Sequence, residues 1–566
     1  MAYEDKEKEF SKSPHTIAVI KLDACSLVFG NAPCTATGEA CYNTYSTCKD
    51  KVNFSKTTKD YKFSKREDEI IFRGIRPYLL EVRDNPTEIK PEAGLAINAK
   101  TTIKFIDDEN DSDVDVDPYV TSRTSVQGSF FKKLLARNIY YSGRPVEIKS
   151  GYKGLTEAEF KTKFKGIIDS IDTTGNGGFS ISIKDPLKRA GKVKVPVATK
   201  GKVADNPLTA GAVVINLDDA TDYPVSGYIR IDDEIIQYSG KTGNQLTGCT
   251  RASFSTTAVS HDLDARVQLC KVWIDENPWN IIYDILVNEV AFLVADIDVA
   301  LAEAERDKWL TGMEYTAVLS QPEDANILIK ELCEQSFSNI WWDNETQQIK
   351  FKVMAPPAPG VNIKTLTKKG DIGAGAIVDL NEKSRVSRVT VYFAKDYISK
   401  DNDNSAYRSI SLDVDPDKES ANEYNSIAEK VIYSRFIRNQ NDAFYIAQNT
   451  LRRFKVPAPI YQYKSELKDN DIKTGDLVII ETNDFVDVAG KEKPKYMQVL
   501  SKTPEGRNGL RFKAMDAVLE KKYGFIAPNS VPVYDSASSI EKLRYAFIAN
   551  ASNQLGSALD DAFYIW

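Results

Sequence analysis

The sequence predicts a mainly β fold with interspersed helices, of the α+β kind, divided among several domains. Three observations predict it. Tyr and Phe are plentiful (27 and 24) while Met is scarce (5), and together with many Val and Ile residues this favours strands. Short alternating runs bounded by Gly and Asp turns recur, as at 166–171 and 179–183 around the Gly-rich stretch 174–178, which is a hairpin signature. Helical periodicity is confined to separated segments, without the regular strand–helix alternation of a doubly wound sheet. No heptad run, solenoid period or low-complexity stretch is present.

The chain has 566 residues, enough for three or four domains. Residues 1–64 hold four of the seven cysteines and read as a small, loop-rich module that needs a staple. Residues 65–207 read as a first β-domain. Within it, 99–106 alternates as a strand, Phe130–Arg137 (FFKKLLAR) as a short amphipathic helix, and 139–148 as two strand-like runs around Ser142–Gly143. Residues 208–272 read as an inserted β-module, with strands at 213–217, 228–231 and 234–238 and a tight turn at Asp232–Asp233. Residues 273–375 form a helical and β segment: helices at 280–288 and 323–335, then a strand–turn–strand from 340 to 353. Residues 376–525 form a second β-domain, with strands at 386–393, 476–481 and 497–500 and helix over 423–454, broken near 439–442. Residues 526–566 read as a weakly amphipathic tail.

Composition excludes several functions. The net charge is −7, without the basic balance of a sequence-specific DNA binder. The charged opening MAYEDKEKEF is not a secretory signal. The most apolar stretch, 281–301, is interrupted by Asp284, Glu289, Asp296 and Asp298, so no membrane insertion is expected, and the protein is expected to be made and kept in the cytoplasm or assembled into a particle from there. Only His15 and His261 supply imidazoles, which argues against a histidine-centred enzyme.

The densest chemistry is Cys25, Cys34, Cys41 and Cys48, spaced C-x8-C-x6-C-x6-C. Four thiolates suit a 4Fe–4S cluster. Structural zinc is the alternative metal, although its usual CxxC knuckles are missing. Two disulfides are a third solution, disfavoured inside the cell and able to form after lysis. Cys249, Cys270 and Cys333 sit in strand or helix patterns and read as buried apolar residues.

Other candidates fail. The acidic run 107–117 lacks the Gly and Glu of a calcium loop in either frame: from Asp111 those positions are Val116 and Ser122, and from Asp113 they are Pro118 and Thr124. The Gly-rich stretch 174–178 lacks the Lys-Ser or Lys-Thr pair of a phosphate loop. Asp232–Asp233 is explained by turn chemistry. In Trp341–Trp342, one ring is expected in the core and the other at an interface. No catalytic constellation is found, and the chain is read as a non-enzyme.

The stretches GSFFKKLLARNIYYSGRPVEIKSGY (128–152) and FKGIIDSIDTTGNGGFSISIKDPLKRA (164–190) resemble the first β-domain of baseplate hub, or tail-tip, proteins of long-tailed bacteriophages and gene transfer agents. Residues 214–261 resemble a small β-module inserted in phage tail proteins. The pieces 339–353, 387–393, 442–454 and 472–481 resemble the second hub domain. The tetrad resembles the cysteine domain of lambda-like tail-tip proteins, although it precedes the hub here and the gap between its pairs is short. The resemblance implies a virion protein at the distal end of the tail, a homotrimer whose two related β-barrel-like domains match a threefold tip to a sixfold tube. Implied partners are the distal tail protein, the tape measure protein and a central fibre or receptor-binding protein, with genome DNA passing through the lumen. It also implies a structural 4Fe–4S cluster on Cys25, Cys34, Cys41 and Cys48. Competing functions are an iron–sulfur enzyme or redox sensor, which needs a substrate pocket, and a host receptor-binding protein, which binds cells by itself.

Overall fold

The computed structural model describes residues 3–8, 13–68, 74–85, 88–90, 100–107, 116–122, 128–173, 178–344, 346–355, 362–399, 403–505 and 509–517. The tail assigned to 526–566 lies outside them, as do most of the acidic run and the turn 174–177. Residues up to Asp516 form one compact unit, and it is mainly β with helices between the strands, as the sequence predicts.

The first architecture is a closed seven-stranded barrel. Its strands are β1 (Pro14–Cys25), β2 (Lys56–Lys65), β3 (Ile75–Asn85), β4 (Lys100–Ile106), β5 (Pro145–Tyr152), β6 (Lys161–Thr173) and β7 (Gly178–Lys184), in the order β1-β2-β3-β4-β7-β6-β5. All neighbours are antiparallel except β2 and β3. β1 closes the ring by pairing with β2 on one edge and β5 on the other: Ile20 stands opposite Tyr61 on one side and Val146 on the other. Its alternation explains the choice. Ala18, Ile20 and Leu22 enter the barrel core, while Ile17 and Val19 are covered on the outside by Tyr3, Tyr152 and Phe160.

After the short helix α1 (Tyr3–Lys8), the helix α2 (Phe130–Arg137) lies where the sequence placed it. Its apolar face sends Phe130, Phe131 and Leu134 into the barrel core, and Phe131 stacks on Phe179 with centroids 4.1 Å apart. Asp107 anchors its start, accepting hydrogen bonds from the Ser129 hydroxyl and from the Phe131 amide at 2.9 Å.

This barrel corrects the boundary drawn at residue 64. Most of 14–25 and 56–65 is barrel strand, because the apolar run Ile17–Ile20 of β1 is buried on both faces and the strand finds partners on both edges. The cysteine-bearing segment is therefore the excursion 26–55 between two adjacent strands. The paired runs expected over 139–148 reduce to β5 alone, and Ile139 and Tyr140 stand exposed in the loop before it.

The inserted module folds around its own core, which includes Val203, Ile215, Tyr223, Ile231, Tyr238, Leu246 and Val267. Gly227–Ile231 and Glu234–Tyr238 form the expected hairpin. The strand Val267–Glu276 leaves the module and pairs with Tyr315–Leu319.

The remaining chain is interleaved, which corrects the boundary at 375/376. The helices Pro278–Asp284, Ala325–Gln335 and Gln440–Phe454 share one core with the hairpin Ser338–Asp343/Gln348–Val353 and the strand Arg388–Lys395. A separate six-stranded sheet takes Thr365–Thr367, Ile377–Asp379, Ile460–Glu466, Leu477–Glu481, Lys495–Glu505 and Gly509–Asp516. Residues 423–439, expected to be helical, contain the strand Glu429–Tyr433, which pairs in parallel with Arg388–Tyr392; long-range pairing overrides the local pattern. Trp341 and Trp342 are both buried. Trp341 packs so closely on Gly475 (φ +88°) that a Cβ there would lie 2.8 Å from its ring. The expectation of an interface ring is thereby corrected.

Because Phe131 is fully buried at the junction of α2 and the barrel, Phe131→Ala is expected to cost about 3–5 kcal/mol. Chemical denaturation of the two proteins checks this through the change in midpoint.

Candidate functional site

The excursion 26–55 rises from a fixed base. Cys25, the last residue of β1, stands opposite Lys56, the first of β2. Just beyond, the Ser26 amide donates to the Ser55 carbonyl at 2.9 Å, and the two hydroxyls meet at 2.8 Å. The excursion then folds back: the Cys25 amide donates to the Asn43 carbonyl at 2.7 Å, and Asn43 holds the left-handed φ of +54° that lets the chain turn there. Asp50 ties Cys34's neighbour to the final turn. It accepts from the Thr35 amide at 2.8 Å and the Thr35 hydroxyl at 2.9 Å, and also from Asn53. Those donors, the Asn53 side chain first and then Thr35, lower its pKa to about 2.

These ties fold the excursion that carries Cys34, Cys41 and Cys48 back towards Cys25 at its base. The Cys48 thiol is pushed above its ordinary value by burial first, and then by the neighbouring Cys41, Cys25 and Cys34 thiols. All four cysteines are free. Among the described residues no three His, Cys, Asp or Glu side chains are grouped to hold a metal ion. Few side chains of the excursion are buried: within 26–55 only Cys41 and Thr44 are. Its connections are polar bonds and a few exposed or half-buried ring contacts, and such a segment carries no hydrophobic core of its own.

Three contacts dock the excursion on the barrel. The Ser46 hydroxyl donates to the Arg137 carbonyl at the end of α2. The Arg137 guanidinium lies 4.2 Å from the Tyr42 ring centroid and donates to the Val116 carbonyl at 3.0 Å. The Phe29 amide donates to the Tyr119 hydroxyl at 2.7 Å. Composition did not reveal this docking, because its partners lie about ninety residues away in the chain.

Cys249, Cys270 and Cys333 are buried as expected, and burial raises their thiols to about 11, 12 and 12. They belong to the cores. His261 is what the sequence reading passed over. It is buried in the inserted module, with Nδ1 2.8 Å from Asp232 and Nε2 2.9 Å from Glu234. Arg251 forks onto the same Glu234 carboxylate at 2.8 and 2.6 Å, and the Ala252 amide adds a bond of 3.0 Å. Glu234 and Asp232 lie 27 and 29 residues from His261, so no local motif marks the cluster. It joins the hairpin to the module's later loop and contains no nucleophile.

No family model matches the chain, and no curated protein matches it. Solved structures do. The 43 kDa tail protein of prophage MuSo2 from Shewanella oneidensis is 9% identical, with a TM-score of 0.36 over 78% of this chain and 99% of that one. The tail protein from Neisseria meningitidis MC58 is 9% identical, with a TM-score of 0.37 over 77% and 91%. A prophage tail protein from Listeria monocytogenes EGD-e is 8% identical, with a TM-score of 0.31 over 76% and 87%. These structural neighbours of the chain are phage tail proteins. Among the described residues, no helix is long and apolar enough to cross a membrane.

The His261 cluster gives the module a pH dependence. Burial raises the Glu234 carboxyl, but the hydrogen bonds from Arg251, His261 and two backbone amides outweigh it, and the net shift is downward from 4.5. A lowered folded-state value means that the stabilisation is present above the ordinary value and is lost as pH falls through the folded one. Glu234→Gln leaves Arg251 facing a neutral group and is expected to cost about 3–5 kcal/mol near neutrality. The difference from the parent should shrink on acidification below pH 4.5; thermal unfolding followed across pH checks both.

Proposed function

We propose that the chain is a structural virion protein, the baseplate hub at the distal tip of a bacteriophage tail, and not an enzyme. The carrying observation is a doubled β architecture in one chain: the closed barrel of β1–β7 and the six-stranded sheet of 365–516. The segment after β3 touches the sheet, with the Ile89 amide donating to the Leu500 carbonyl at 2.9 Å and the Glu88 carboxylate paired with the Lys513 side chain at 2.6 Å. Three such chains around an axis set six β units in a ring, which matches a threefold tip to a sixfold tube. Three of the segments that resemble hub proteins fall on these two units, while 339–353, 387–393 and 442–454 fall in the helical core. Residues 128–152 contain α2 and β5, residues 164–190 contain most of β6 and all of β7, and residues 472–481 carry a strand of the six-stranded sheet. In this role the ring closes the tube, and its neighbours are the distal tail protein, the tape measure protein and a central fibre or receptor-binding protein.

Cys25, Cys34, Cys41 and Cys48 would hold a structural 4Fe–4S cluster. What supports this reading is the chemistry of the donor set, four free thiols on one short excursion and its base, on a segment that buries almost nothing else. Zinc on the same four thiols is the alternative, drawing its sulfurs in to about 2.3 Å from the metal. When bound, the group supplies thiolate–iron bonds that cross-link the loops and contribute folding energy. The protein's own residues do the rest: Asp50 and Asn43 set the turns, and Ser46 and Tyr42 seat the segment on α2.

Light scattering on the purified chain is expected to give three times the chain mass, and a monomer at every concentration overturns the ring. Cys25→Ser is expected to lose most of the bound iron, to expose 26–55 to proteolysis and to leave tails unassembled in a complementation assay. Infectious tails carrying this variant would overturn the structural role of the cluster.

A further inference from the structure

One buried carboxylate gathers both ends of the loop 251–261 in the inserted module. It belongs to Glu234, the first residue of the strand Glu234–Tyr238. At the near end it accepts from Arg251 Nε and Nη2, at 2.8 and 2.6 Å, and from the Ala252 amide at 3.0 Å. At the far end it accepts from the Val259 amide at 3.3 Å and meets His261 Nε2 at 2.9 Å. His261 Nδ1 meets Asp232, in the hairpin turn, at 2.8 Å. A carboxylate only accepts, and a neutral imidazole carries a single N–H. With a carboxylate oxygen on each ring nitrogen, both contacts are hydrogen bonds only in the doubly protonated ring. The charges then balance, Asp232 and Glu234 against Arg251 and His261. The other charges of the turn are occupied with one another: Arg230 pairs with Asp233 at 3.2 Å and donates from Nε to the Asp232 carbonyl at 2.6 Å. Leu208, bonded backbone to backbone with His261, brings no charge.

The loop pinned in this way is strained. Ala252, Phe254 and Ser255 hold left-handed φ values of +55°, +55° and +62°, a conformation that costs a non-glycine residue free energy and persists only where its surroundings enforce it. The strain brings Phe254 to the junction between the module and the rest of the chain. Its ring lies 5.1 Å from Tyr228 of the module and 5.6 Å from Tyr397 beyond it, and it packs on the small core of Ile235, Cys270 and Val318.

We propose that His261 is held as an imidazolium and latches this loop, so that loss of the ring proton frees Phe254 and loosens the module's seat on the rest of the chain. Two carboxylates hold the buried cation, so the latch is closed while the ring is doubly protonated and opens as pH rises. That sign is opposite to the effect of Glu234, whose stabilisation is lost on acidification. The device is independent of the tail-tip reading and of the cysteines.

The test uses the full chain labelled with nitrogen-15 in its histidine rings. His15 and His261 are the two histidines, and His15→Gln assigns their signals. At neutral pH the His261 ring is expected to show two N–H groups. As pH rises one is lost, and chymotryptic cutting after Phe254 is expected to rise about tenfold over the same range, with the circular dichroism of the chain unchanged. Asp232→Asn removes one carboxylate and keeps a residue type that accepts the φ of +49° at that turn. It is expected to move the ring's titration and the cutting together to lower pH. A His261 ring with one N–H at neutral pH, cutting that does not follow the ring's titration, or an Asp232→Asn chain that titrates like its parent overturns the inference. A loss of circular dichroism over the same range overturns a local release.

Discussion

The pairing of β1 along both of its edges is the constraint on which the rest depends. Hydrogen-bonded to β2 and to β5 at once, it converts a curved sheet into a barrel and removes the sheet's free edges. Its inward residues complete the core that α2 enters. Its last residue, Cys25, fixes one end of the excursion against Lys56 at the other. A long loop with both ends already paired has much of its closure entropy met by the barrel, so cross-links inside it need only order the interior.

That geometry divides the work within the cysteine segment. Polar bonds from Asp50, Asn43 and Ser26 set its turns, and contacts from Ser46, Tyr42 and Phe29 seat it on α2 and the chain before it. Neither group buries apolar area on the scale of the barrel, where Phe63, Phe105, Phe131 and Phe179 pack ring on ring. Thiolate ligation, as proposed, would supply the missing stability.

What was legible in the sequence was local. The amphipathic spacing of FFKKLLAR placed α2, alternation placed β7 and the Asp232–Asp233 hairpin, and clustering alone picked out the four cysteines. What was hidden depended on distant partners. β1 was obscured because its short apolar run Ile17–Ile20 shows no two-residue period and sits within the Thr-, Lys- and Cys-rich composition of the first sixty residues. Glu429–Tyr433 looked helical beside a true helix, and only its parallel pairing with Arg388–Tyr392 makes it a strand. His261 was discounted as an isolated imidazole, yet the fold surrounds it with Asp232, Glu234 and, through Glu234, Arg251. The separation of the second β unit from the helical core was equally invisible, because 365–379 crosses to join 460–516.

The central claim is that the four cysteines hold a cluster which completes a structural tail-tip subunit. Its most direct test is iron and acid-labile sulfide analysis of the anaerobically purified chain, together with its visible absorption. The account predicts a brown protein with about four irons per chain and a visible spectrum lost when Cys41 is replaced by Ser. A colourless protein free of iron, with 26–55 as protease-resistant as the barrel, would contradict it.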